Sequence, residues 1–164
     1  MKRAGFTMIE LIFVIVILGI LAAVAIPKLA ATRTDAGVSK VTSNLQTAIK
    51  DLGAYALSNG TLVAADTWGD VTSVPLFTDT AGTTAATATV LTTAVYLHDG
   101  SGAATGACFS LDVTDLVDAN ITAISLAGGT SGVCVGSQAL ALKNLQSATG
   151  TGVTHTFAQT GVTY

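Results

Sequence analysis

The chain has 164 residues, half of them hydrophobic, 10% charged and only 5% aromatic, with a formal net charge of -3. This length leaves room for one modest domain beside a membrane-length segment, and so few aromatics require an economical core. No basic cluster follows Lys2 and Arg3, so no surface tracks a phosphate backbone and nucleic acid is set aside as a partner.

The first element is the run from Phe6 to Ile26, 21 residues. As a helix it covers about 31 Å, close to the ~30 Å thickness of bilayer hydrocarbon. Lys2 and Arg3 ahead of it favour a cytoplasmic start and an exported remainder, an asymmetry that Lys28 and Arg33 weaken. A secretory signal is the rival reading, with Ala23 to Ala25 ("AVA") as its cleavage site. Two features oppose it. The apolar stretch Leu11 to Ile26 is long for a signal, and it is entered by Glu10, the one glutamate in the chain. A carboxylate at the mouth of a discarded peptide serves no purpose.

The stretch "KRAGFTMIE" resembles the class III leader junction of type IV pilins and the related pseudopilins: a short basic leader, Gly5, then Phe6, with glutamate four positions after Phe6. The resemblance runs through the apolar helix to Pro27. It implies that residues 1–5 are a leader removed between Gly5 and Phe6 by a membrane-embedded prepilin peptidase, that Phe6 is then N-methylated, and that residues 6–27 form the transmembrane and filament-assembly helix. Five basic side chains then face ten acidic ones, a balance of -5. It also explains Glu10. A carboxylate in hydrocarbon costs about 2.5–3.5 kcal/mol unless it finds a cation, and the new Phe6 amine is one. Their four-residue spacing puts both on one helix face, and in a filament the same carboxylate meets the amine of an adjoining subunit. Gly19 and Pro27 match the family pattern as weak points of the helix, the first lowering helix propensity and the second lacking an N–H. The implied partners are further copies of the chain in a helical filament, the peptidase and an inner-membrane assembly platform. No cofactor and no catalysis are implied.

Residues 28–58 continue as an amphipathic second half of this helix. Val38, Val41, Leu45, Ile49, Leu52 and Ala56 recur at steps of three and four, with Lys40, Asn44, Gln46, Lys50 and Asp51 largely off that stripe. Ser58 to Gly60 supplies a stop, while Gly37 and Gly53 weaken the interior. Residues 59–164 are the globular domain. Residues 59–106 show no sustained period and read as a long surface loop with a strand or short helix near Val90 to Leu97. Residues 107–164 read as an antiparallel sheet of about four strands in "CFSLDV", "NITAISL", "VCVGS" and "VTHTFAQTGVTY", its apolar face covering the helical stripe. The fold class is therefore α+β.

Cys108 and Cys134 both fall in expected strands, and export places them where a disulfide forms. Such a bond contributes roughly 3 kcal/mol on the chain-entropy model. Two cysteines without a histidine pattern do not make a zinc site, and no metal is expected. Asp112, Asp115 and Asp118 lack the glycine-centred calcium-loop pattern and read as solvated turn carboxylates. Asn120 heads an N-x-T acceptor and is a weak glycosylation candidate. His98 and His155 have no credible nucleophile partner, so no active site is expected.

The reading is a structural subunit of a type IV pilus, anchored in the inner membrane as a single-pass precursor with an exported carboxy-terminal domain and extracellular once assembled. The alternatives are a pseudopilin of a type II secretion system or a minor pilin, which share this amino terminus, and, from another class, a membrane-tethered or secreted binding domain.

Overall fold

The computed structural model describes residues 5–59, 62–115, 120–144 and 153–156. It divides between Asp35 and Ala36 into two compact units, although helix α1 (Met8–Asn59) is assigned without a break. The fold is α+β: a long amino-terminal helix followed by a small antiparallel sheet that packs on its second half.

In the second unit, residues 36–164, the expected stripe holds the core. Val41, Leu45, Ile49, Leu52 and Ala56 are buried, and Thr42, Ala48 and Gly53 widen the buried face. Leu45 and Leu52 are almost completely enclosed, which contributes about 1.5–3 kcal/mol each. Against the stripe lie β1 (Val95–His98) and β2 (Ala107–Asp115), whose inward residues Val95, Leu97, Phe109, Leu111 and Val113 join the same core. Their pairing, Val95 opposite Leu111 and Leu97 opposite Phe109, follows from the two-residue period of a half-buried strand. Strand β3 (Asn120–Leu126) pairs with β2, and β4 (Val153–Thr156) with β3, so the antiparallel order is β1-β2-β3-β4.

The register shifts once between β1 and β2: His98 faces Ala107, and Cys108 has no opposite residue. A bulge of this kind re-aims a side chain out of the regular alternation. Here the displaced residue is the one bonded to Cys134.

The expected strand at "VCVGS" is a helix, α3 (Gly132–Asn144). Val133 and Val135 imitate a strand's alternation, but the buried positions Cys134, Ser137 and Ala141 recur at steps of three and four. Ser131 starts the helix by accepting the Cys134 N–H at 3.1 Å, so tertiary packing and a capping side chain override β-propensity. The helix lies against α1 through two glycines. A Cβ on Gly37 would stand 2.7 Å from Val133 Cγ2, and one on Gly136 would stand 2.7 Å from Val38 Cγ2. Gly37 is thus a contact rather than a defect in α1, and Val38 faces α3 rather than the sheet.

Residues 62–94 also depart from the expected surface loop. They bury Leu62, Trp68, Val71, Leu76, Ala86 and Leu91, and carry the short helix α2 (Trp68–Val71). Phe77 exchanges backbone hydrogen bonds with Tyr96 of β1, and the Trp68 and Gly69 N–H groups donate to Thr89 and Thr87. The indole N–H of Trp68, the only tryptophan, donates to the Thr93 carbonyl at 3.2 Å. Apart from Trp68 and Val71, which share α2, these apolar residues are spaced irregularly, so the segment is packed without any sustained period.

Candidate functional site

The first unit, residues 1–35, presents the membrane-length helix by itself. Every large apolar side chain from Phe6 to Leu29 is exposed, including Phe13 at 65% and Leu21 at 60%. A helix apolar on all sides is stable only inside lipid or inside a protein core, and an uncovered surface of this size marks an interaction site. By length and composition the helix is able to cross a membrane.

At its mouth the structure supplies a partner for Glu10 that sequence reading missed. Glu10 Oε2 accepts the Thr7 backbone N–H at 2.9 Å and the Thr7 hydroxyl at 2.6 Å, while the Glu10 N–H lies 3.4 Å from Thr7 Oγ1. This is a capping box, in which residues three apart satisfy each other's unpaired groups at a helix start. The signal was present in "TMIE", a threonine three residues before an acid and ahead of an apolar run. Gly5 and Phe6 precede this cap in exposed, non-helical backbone. Thr7 therefore sets where the helix begins, leaving the Gly5–Phe6 bond outside it.

Helix α1 continues through Gly19 and Pro27. No atom outside its own backbone lies within 4 Å of a Cβ built on Gly19, so nothing in a single chain demands glycine there. Pro27 leaves the Ala23 carbonyl without its helical donor.

Cys108 and Cys134 are joined, with Cα atoms 4.6 Å apart, and both are fully buried. The bond fixes the first turn of α3 to β2, and Gln138 adds a hydrogen bond from Nε2 to the Cys108 carbonyl at 2.8 Å. Asp99 closes the same corner. Its Oδ2 accepts the Ser131 hydroxyl at 2.6 Å and its Oδ1 accepts the Ser101 N–H at 2.8 Å, beside His98 Nδ1 at 3.3 Å. Although His98, Asp99 and Ser131 meet, Ser131 Oγ is committed to Asp99 and to the Cys134 N–H, so this is a clasp on α3 and not a nucleophile.

Asp99 titrates below its ordinary value of 3.8: burial opposes this, but the Ser131 and Ser101 hydrogen bonds and the adjacent His98 outweigh it. A depressed folded-state value means that its stabilisation is fully present above the ordinary value and is lost as pH falls through the folded one. Asp99→Asn should therefore lower stability at neutral pH by about 1.5–3 kcal/mol, the scale of charged hydrogen bonds. In acid melts the gap between the variant and the parent should begin to close below about pH 4 and vanish only below the folded-state value.

The remaining candidates are placed as follows. Asn120 begins β3 opposite Asp115, and His155 lies in β4 opposite Ile121. Asp112 is half-buried in β2, and Asp118 lies outside the described residues. Among the described residues no group of three or more His, Cys, Asp or Glu is placed to hold a metal.

Comparison with known proteins agrees with this site. Residues 1–26 of the chain match the prokaryotic N-terminal methylation motif. Its amino-terminal region is 49% identical over 55 residues to the type IV wide pilus major component PilA4 of Thermus thermophilus. The match covers 34% of this chain and 42% of that protein, so the chain spans less than half the length of this relative. No solved structure gives a significant match.

Proposed function

We propose that the chain is a structural subunit of a type IV pilus, made as a membrane-anchored precursor and polymerised through its amino-terminal helix. The observation that carries this reading is the coincidence of a methylation-motif leader with a wholly exposed apolar helix that holds one carboxylate in its first turn. Cleavage between Gly5 and Phe6 by a prepilin peptidase creates an ammonium group four residues before Glu10. An inner-membrane platform then draws the subunit from the bilayer, and the helix exchanges lipid for the helices of other subunits. Thr7 holds the Glu10 carboxylate until an adjoining subunit's Phe6 amine arrives. The disulfide and the Asp99 clasp keep the exported domain folded outside the cell. The chain acts by assembly and not by catalysis.

The pseudopilin reading shares the amino terminus. The relative's description as a major pilus component favours the pilus. Shearing surface filaments from cells, imaging them by electron microscopy and identifying the subunit by peptide mass tests the choice. Long filaments built mainly of this chain are expected; its retention in the cell envelope, with none in the sheared fraction, would overturn the reading.

A further inference from the structure

Four of the seven basic residues of this chain lie on α1, which also carries Glu10, Asp35 and Asp51. These four, Lys28, Arg33, Lys40 and Lys50, are all exposed, and among the described residues none is ion-paired with a carboxylate. From residue 60 onward the sequence instead has seven aspartates and one basic residue, Lys143. Three carboxylates of the second unit gather around α2. Asp51 Oδ2 accepts the Thr72 hydroxyl at 2.6 Å, Asp70 Oδ2 accepts the Thr67 hydroxyl at 2.7 Å, and Asp66 Oδ2 accepts the Val63 N–H at 2.9 Å. Tyr55, one turn after Asp51, has its phenol pushed up by burial and then by the charges of Asp66 and Asp70, which places both beside it. Neutral donors therefore hold these aspartates in place, and Asp51 and Asp70 each keep a second oxygen that no described residue engages. Fixed carboxylates without a cation are preorganised acceptors for a guanidinium or ammonium group.

The proposed function supplies a reason to bring the two sets together. When the apolar run of one copy is buried among others, Lys28 and Arg33 are the first cations beyond it, and they must either remain in water or meet a carboxylate. We propose that the Asp51, Asp66 and Asp70 patch is a docking surface for a second copy of this chain, receiving the guanidinium of its Arg33 and the ammonium of its Lys28. This inference rests on the pilus-subunit reading. Opposite charges at separate places on identical subunits allow a head-to-tail contact, which builds an open filament where its rotation does not close.

The test is charge exchange in the full-length chain, read as sheared filament yield at equal precursor level. Arg33→Asp and Asp70→Arg should each lower the yield about tenfold, and the double exchange should restore it to within about threefold of the parent. Asp70 also caps α2, so the Asp51→Asn, Asp70→Asn pair, which keeps acceptor oxygens but removes charge, should lower the yield while leaving the disulfide and protease resistance intact. Normal yield from either single exchange, or no recovery in the double, would overturn the docking proposal and leave the pilus reading standing. Loss of membrane precursor in Arg33→Asp with normal filaments in Asp70→Arg would assign the cation to lipid headgroups instead. Absence of filaments from the parent chain would overturn both.

Discussion

Cells expressing Glu10→Ala should insert and process the precursor normally and yet make few filaments. Insertion is spared because removing a charge from the helix lowers its cost of entering lipid. Assembly suffers because the Phe6 ammonium of an adjoining subunit then enters an apolar core unpaired, and stranding one member of a buried pair costs about 3–5 kcal/mol. The contact with Thr7 sharpens the comparison. Glu10→Gln keeps an oxygen able to accept the Thr7 N–H and hydroxyl, so it preserves the helix cap while removing the charge. Because the proposed assembly role belongs to the charge, Glu10→Gln should assemble as poorly as Glu10→Ala. Fractionation, leader-removal assays and quantified sheared filaments separate these effects. Filament yield at the parental level from Glu10→Gln would assign Glu10 to helix capping alone.

Replacing Cys108 and Cys134 together by serine should lower the stability of the exported domain by about 3 kcal/mol and open the segment between them to proteolysis. The effect should centre on α3, which the bond ties to the bulge in β2, with Ser131, Asp99 and Gln138 as the remaining attachments. Because those attachments persist, the domain should still fold at low temperature. Chemical denaturation of the purified parent and double variant checks the magnitude, and non-reducing peptide mapping of exported protein checks the bond. Two free thiols in that protein would contradict the account.

Much of this architecture was legible because two periods are written plainly. The continuous apolar run to Ile26 marks the membrane-length helix, and Val41 to Ala56 at steps of three and four marks its core face. The strands β2 and β3 were readable from β-branched alternation in "CFSLDV" and "NITAISL". Helix α3 was not, because its identity rests on Ser131 as a cap and on glycines 37 and 136 admitting valines from the facing helix. The packing of Trp68, Leu76 and Leu91 was hidden for a different reason: it depends on pairing between distant backbone segments, such as Phe77 with Tyr96, and leaves no local period. At the candidate site, Glu10 declared itself by standing alone in an apolar stretch. Thr7 was overlooked because its role is a capping geometry.

The central claim, that this is a processed pilus subunit, is tested most directly by the intact mass of the protein recovered from sheared filaments. The account predicts a chain that begins at Phe6, carries one added methyl group on its amine and contains the intact Cys108–Cys134 bond. A subunit beginning at Ile26, as cleavage after Ala25 would leave it, or one that retains residues 1–5, would contradict it.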